Sequence, residues 1–281
     1  GKADLRELIN DTTTYADLLM KFPSCSPGID QLLDFIPAIK PRLYSISSDS
    51  LMHENKIHCC IVEEDWENSQ GVRHGQSTWF LRNQAKNMKW GEVQQIRDTP
   101  EEPFGELSSD VAPKMFCRVN PAVVHLPEDP KTPLIMVGLG TGLAPFRSFI
   151  QQRKVQEAEG MEVGEMVLYF GARYKDTEFL YRDEIETWEK DGLTLKLAFS
   201  RDQEEKIYAQ HKIDEDPELV YDLMVNKNAS FYLCGPAGNM PEQMKQSVIN
   251  AIAKVGKISR EEAEETVTQW QISGRYNVEV W

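Results

Sequence analysis

The chain predicts an α/β protein, with a parallel, doubly wound sheet in its second half, preceded by a β-rich segment and a helical lead. Three observations carry that expectation. In the stretch from Pro133 to Ile150, apolar Leu134 to Val137 read as a buried strand, Gly138, Gly140 and Gly142 as a turn, and Leu143 to Arg153 as a helix. After Pro133, strand-like and helix-like runs alternate to the end of the chain. Ahead of it, from Arg42, lie short β-prone runs separated by polar turns.

Taken in order, residues 1–40 read as helical. Leu5 to Ile9, Tyr15 to Phe22 and Ile29 to Ile36 carry apolar residues three and four apart, punctuated by Pro23, Pro27-Gly28 and Pro37. Residues 42–48 and 56–62 read as two strands, Gly75 to Leu81 as the opening of a short helix, and 87–111 as a loop or weak strand. A last strand of this part is expected at Lys114 to Val119, before Pro121 and Pro127. The second half reads strand 134–137, helix 143–158, strand 166–171, helix 178–190 and strand 194–199. A helix at 215–226, a strand at 230–233, helices at 241–255 and 259–270 and a strand at 275–281 follow. The expected divisions are 1–40, 41–130 and 131–281, with the main boundary between Leu126 and Pro133.

Composition narrows the function. With 281 residues, 41% of them hydrophobic, the chain can bury a core. A net charge of −14 argues against nucleic-acid binding; it suits a basic partner, and equally mere solubility. No apolar run approaches the ~18 residues of a membrane span. The first residues, Gly-Lys-Ala-Asp, show neither a signal-peptide pattern nor an initiator Met, and so read as part of a longer polypeptide. Cys25, Cys59, Cys60, Cys117 and Cys234 are odd in number and lack C-x-x-C spacing. Neither a disulfide framework nor a metal site is expected, and the setting expected is intracellular and reducing. His125 and His211 have no neighbours in sequence to suggest a triad.

The glycine turn carries the first chemistry. A strand feeding a helix through glycines brings bare N–H groups and the positive end of the helix dipole to one point, which suits a phosphate. Such a turn also simply joins a strand to a helix. The strand ending in Ala198-Phe-Ser-Arg should open on the same crevice, because parallel sheets bind ligands at the carboxyl ends of their strands. Ser200, Arg201, Lys206 and Tyr208 would grip a phosphomonoester and stack on a base, although Glu204 and Glu205 also fit a plain solvated loop. Cys234 ends the next strand before Gly235-Pro236; it reads either as a core cysteine or as a thiol facing that crevice.

These residues together resemble one family. Arg42-Leu-Tyr-Ser, Gly75 to Thr78, the glycine turn, Ser200-Arg201 with Lys206 and Tyr208, Cys234-Gly235 and a terminal Trp281 stand in the order seen in diflavin reductases. These are NADPH-dependent electron suppliers of the microsomal cytochrome, nitric-oxide-synthase and sulfite-reductase type. The resemblance runs from Tyr15 to Trp281. It implies a ferredoxin–NADP reductase-like architecture, an antiparallel FAD-binding barrel followed by a parallel NADP-binding domain, with hydride passing between NADP(H) and FAD. Single electrons would then leave through FMN on a flavodoxin-like domain outside this chain.

The resemblance also implies roles. Arg42 would be the cation for the FAD pyrophosphate, Leu43 would lie within the FAD site, Tyr44 on one face of the flavin ring and Ser45 near its N5. Cys60, Ile61 and Val62 would hold the ring by main chain, Trp66 would lie under the adenine, and Gly75, Gln76, Ser77 and Thr78 would form a second phosphate turn. Trp281 would cover the other flavin face. Gly140, Thr141, Gly142, Ser200, Arg201, Lys206, Tyr208, Gln210 and Gln243 would bind NADP(H), and Ser45, Cys234, Glu279 and Trp281 would form the catalytic group. Three features depart from the family pattern. Glu279 stands where Asp is frequent, Cys-Gly-Pro replaces Cys-Gly-Asp, and residues 1–40 match only the tail of the family's helical connecting domain, so the barrel is expected to be incomplete. Two other readings stay open: the same module run in reverse, reducing NADP⁺ in a chain fused to a pyruvate-oxidising enzyme, or a docking fragment with little FAD.

Overall fold

The computed structural model describes residues 2–86 and 117–281. They fall into two compact units, one of residues 2–43 and 61–86, the other of residues 44–60 and 117–281.

The first unit opens with the expected helical lead, α1 (Lys2–Asn10), α2 (Tyr15–Lys21) and α3 (Ile29–Phe35). Thr14 starts α2 with a capping box: its hydroxyl accepts from the Asp17 N–H at 3.2 Å, and its own N–H donates to the Asp17 carboxylate at 2.9 Å. A hairpin that the sequence did not predict follows, β1 (Asp65–Asn68) against β2 (Gly71–His74), leading into α4 (Gln76–Lys86). Its residues are too polar for an alternating strand signal, and hydrogen bonds to the helical lead hold it instead. Asp11 accepts from the Ser69 N–H at 2.7 Å, and Arg73 pairs with buried Asp17 at 2.9 Å.

The first two expected strands are not formed. Residues 42–48 and 56–62 form no ladder; Ile46 and Cys59 make one isolated antiparallel bridge. The backbone there is satisfied piecemeal, Ser47 N–H by the His58 carbonyl at 2.8 Å and His58 N–H by the Ser48 hydroxyl at 2.9 Å. β-prone side chains make a strand only where a neighbouring strand offers a matching edge. The expected loop at 87–111 lies outside the described residues, as does the start of the strand expected at 114–119; residues 117–119 carry no regular structure.

The rest of this unit is the expected doubly wound sheet. Strands β3 (Leu134–Leu139), β4 (Met166–Ala172), β5 (Thr194–Phe199), β6 (Ser230–Gly235) and β7 (Tyr276–Val280) stand in the order β5-β4-β3-β6-β7, all parallel. Both faces are covered, which is why the strands read as unbroken apolar runs. Ile135, Val137, Tyr169, Phe231 and Leu233 point to one face, where α8 (Ala209–Glu215), α9 (Pro217–Tyr221), α10 (Met240–Gly256) and α11 (Arg260–Ile272) supply Ile213, Val220, Ile249 and Val267. Leu134, Met136, Leu168 and Cys234 point to the other, against Phe146 and Ile150 of α5 (Ala144–Ala158).

Two expected helices are divided. The one at 178–190 becomes α6 (Lys175–Glu178) and α7 (Arg182–Lys190), because buried Phe179 stacks on Phe170 at 5.4 Å and Tyr181 turns left-handed at φ +53°. The one at 215–226 begins earlier, at Ala209. Pro217, which has no N–H, restarts it as α9, and a π-helical turn at Asp222–Asn226 ends it. Among the described residues no helix is long and apolar enough to cross a membrane.

Candidate active site

In the second unit the chain leaves β3 toward β4 and β5, then returns to β6 and β7 on the other side of β3. The sheet therefore changes direction between β3 and β6, and a crevice opens beyond their carboxyl ends. Gly140 to Leu143 form a tight 3₁₀ turn there before α5 begins. Gly140 is left-handed at φ +55°, and a Cβ on Gly142 would run into the Cys234 carbonyl oxygen. Only glycine lets the β3 turn lie this close to the end of β6. A narrow turn at a helix start, with bare backbone facing outward, fits the diphosphate of a dinucleotide.

Cys234 and Glu279 are register partners on β6 and β7, and the thiol lies 3.9 Å from the Glu279 carboxylate. Cys234 is fully buried. Burial, and then the charge of Glu279, push its pKa far above the ordinary thiol value, so it keeps its proton and donates to the carboxylate. Trp281 closes the same corner: its N–H donates to the Gly235 carbonyl at 3.3 Å, and its carbonyl accepts from the Ala237 N–H at 2.8 Å. These two bonds fix the terminal backbone, while Trp281 as a whole stays 53% exposed.

At the other end of the sheet, Ser200 and Arg201 follow β5, with their N–H groups bonded to the Ala172 and Arg173 carbonyls at 3.0 and 2.8 Å. Arg201 and Lys206 are exposed, and neither has an ion pair among the described residues. Tyr208 caps α8, 41% exposed, its ring edge-on to His211 at 5.6 Å. Gln210 donates to Gln243 at 3.4 Å, joining the first turns of α8 and α10. Two unpaired cations beside an exposed ring suit a phosphorylated ribose next to a base. Arg173, ion-paired with Glu178 at the end of β4, stands at the same edge and was not singled out from the sequence.

Tyr44, Ser45 and Cys60 also belong to this unit, and all three are half-buried. Burial raises the pKa of the Cys60 thiol, while its contact with the Tyr181 hydroxyl works the other way. Among the described residues Ser45 makes no hydrogen bond to Cys234 or Glu279, so the structure joins two of the three groups of the expected relay. Sequence reasoning missed the polar cluster behind this segment. Arg147 and Gln151 occupy two successive turns of α5, both buried, with Glu184 and Tyr181 beside them. The available signal was a charged residue and an amide four apart on an otherwise apolar helix face.

In the first unit, Arg42 donates to the Lys40 carbonyl at 2.6 Å and to the Gln76 side chain at 2.8 Å, which sets a guanidinium at the start of α4. The Gly75 N–H is bonded to the Glu64 carbonyl at 2.7 Å, and the Thr78 hydroxyl accepts from the Glu64 N–H at 3.3 Å. A cation at a helix N-terminus fits a second diphosphate. Trp66 lies on β1 and donates its indole N–H to Thr12 at 2.7 Å. Leu43, Ile61 and Val62 are exposed.

Comparison with known proteins agrees with this arrangement. Residues 1–80 match the FAD binding domain model, and residues 136–246 match the oxidoreductase NAD-binding domain model. The chain is 34% identical to the NADPH–cytochrome P450 reductase of Drosophila melanogaster over all of its length, and 38% identical to that of Mus musculus over 94% of it. It spans 39% and 37% of those two proteins. It is also 35% identical, over its whole length, to a protein of Cryptosporidium parvum named pyruvate dehydrogenase [NADP(+)], of which it spans 15%. With paired flavin- and nicotinamide-dinucleotide-binding domains in this order, the chain belongs to the diflavin reductase family as its FAD/NADPH oxidoreductase module.

Proposed function

We propose that the module passes reducing equivalents from NADPH to FAD and sends them on, one electron at a time, to FMN or another redox partner in a longer chain. The observation that carries this reading is buried Cys234 paired with half-buried Glu279, beside the glycine turn and the terminal Trp281. The flavin and the nicotinamide, when bound, supply the hydride chemistry. The chain's residues bind and orient them. Gly140, Thr141 and Gly142 would cradle the dinucleotide diphosphate; Ser200, Arg201, Lys206 and Tyr208, with Gln210 and Gln243 behind them, would select NADPH over NADH through its extra phosphate. Arg42 and Gly75 to Thr78 would hold the FAD diphosphate, Trp66 its adenine, and Tyr44, Ser45, Cys60, Ile61 and Val62 its ring, with Leu43 also at the FAD. Trp281 would cover the ring until nicotinamide enters. Cys234, protonated and hydrogen-bonded to Glu279, would form with Glu279 and Ser45 a polar relay that steadies the charge developing at the flavin N5.

We read residues 1–40 as the tail of a helical connecting domain, 41–130 as the FAD part and 131–281 as the NADP(H) part; the NAD-binding match at 136–246 lies within the last, while the FAD match at 1–80 takes in residues 1–40 as well. Five unpaired cysteines support an intracellular, reducing setting. The reverse direction has one observation in its favour, the match of this chain to 15% of the protein named pyruvate dehydrogenase [NADP(+)]. The same residues serve either direction, and the potential of the partner sets which one runs. An absorbance spectrum before and after anaerobic NADPH tests the reading. A flavin band that bleaches on addition is the expected result; a colourless protein, or a yellow one that NADPH leaves unchanged, overturns it.

A further inference from the structure

We propose that Arg147 and Tyr181 are positioning residues that hold the Tyr44–Ser45 segment in fixed register with the glycine turn. This rests on the reading above, in which Tyr44 and Ser45 meet the flavin. All the groups involved lie within the second unit.

The hold is made by one helix face. Arg147 lies in the first turn of α5, three residues after its first residue, Ala144. Its side chain donates to the Ser47 carbonyl at 2.6 Å and, through two other nitrogens, to Glu184 at 2.5 and 3.0 Å. Ser148 donates to the Ser48 carbonyl at 3.2 Å, and Gln151 accepts from the Asp49 N–H at 3.0 Å. Gln151 in turn donates to Glu184 at 3.0 Å. Three side chains of α5 thus hold the backbone of three successive residues, and Ser47, Ser48 and Asp49 are all buried. Ser47 stands two residues from Ser45, so little slack is left between the held backbone and the Ser45 hydroxyl.

Tyr181 completes the hold. Its hydroxyl lies 3.1 Å from the Ser47 hydroxyl, and the Arg147 guanidinium lies over its ring at 4.6 Å. Its backbone is left-handed, at φ 53° and ψ 32°, a conformation costly for a bulky side chain. Such strain persists only where the surroundings impose it. Here it breaks a helix and turns the ring under Arg147. The helix end that carries the glycine turn is therefore the one that holds residues 47–49. The guanidinium fixes a relative position, a task distinct from binding either cofactor.

The test compares Arg147→Lys and Tyr181→Phe with the unaltered full-length protein. Three quantities are read: the single-turnover rate of flavin reduction, the affinity for NADP⁺, and amide hydrogen exchange across residues 47–53. Reduction roughly tenfold to a hundredfold slower is expected, as for a small misplacement of reacting groups. NADP⁺ affinity should stay within about twofold, because the turn itself is untouched, and exchange at 47–53 should quicken. Unchanged reduction in both variants, or a loss of rate matched by a loss of affinity, overturns the proposal. If Arg147→Lys does not fold, Tyr181→Phe, which removes one hydroxyl, decides alone. If the unaltered protein holds no flavin, the functional reading fails; exchange at 47–53 that stays unchanged in the variants would then overturn the hold itself.

Discussion

At the scale of the residue, Cys234 owes its chemistry to its surroundings. Burial raises its pKa first and the neighbouring Glu279 charge raises it further, so the thiol is a donor and not a nucleophile at neutral pH. Cys234→Ala should slow flavin reduction by about a hundredfold or more, the usual range for a lost positioned proton donor, and leave NADPH affinity nearly intact. Cys234→Ser should recover part of the rate, since a hydroxyl also donates to Glu279. Stopped-flow reduction of the three proteins checks this, and an Ala variant as fast as the parent would remove the thiol from the chemistry. Each residue of the pair stood out in the sequence. Their contact did not, because 45 positions separate them and only the β6–β7 register sets them side by side.

At the scale of the element, the β3–α5 turn shows how a local pattern acquires a tertiary reason. The glycines were legible as a turn, but which of them is indispensable was not. Gly142 is, because the atom its Cβ would strike is the Cys234 backbone, which cannot swing aside. Gly142→Ala should destabilise the protein by roughly 1–3 kcal/mol, as overpacking does, and should weaken NADP⁺ binding by shifting the turn. Denaturant unfolding alongside an NADP⁺ titration measures both, and wild-type values in each would show that the turn has room to move. The division at Tyr181 was hidden for a related reason. The stretch 178–190 carries good helical periodicity, yet burying Phe179 beside Phe170 and Phe199 at 5.4 and 5.9 Å bends the chain out of the helix. The β-prone runs at 42–48 and 56–62 erred in the opposite sense. Their side chains favour strands, but α5 takes up the backbone groups of Ser47 to Asp49 that a ladder would have used.

At the scale of the whole molecule, the described residues hold a group of buried weak acids whose ionisation works against folding. Burial raises the pKa of Cys60, Cys234, Tyr169, Tyr232 and Tyr276, and pushes that of Tyr181 up to about 12. Unfolded, thiols and phenols ionise near about 8.5 and 10. Between those values and the raised native ones, the native state holds more protons than the unfolded state, so stability falls as pH rises. The contribution is complete below about pH 8.5 and is lost progressively above it, more steeply above about 10. Thermal midpoints from pH 7 to 11 should stay level and then decline. A midpoint that holds steady to pH 10.5 would show that these groups reach water in the native state.

The sequence by itself determined the doubly wound sheet, the helical lead, the glycine turn after β3, the helix that starts at Gln76 and the family. Those are written in short-range signals: unbroken apolar runs, glycine at fixed spacing, and residue types in a fixed order. The tertiary structure alone decided that Cys234 keeps its proton against Glu279, that Gly142 must lack a side chain, and that Arg147 with Tyr181 grips the segment carrying Tyr44 and Ser45. The physical reason is the same in each case. Burial, register and close approach belong to pairs of groups far apart in the chain, and folding alone sets their distances.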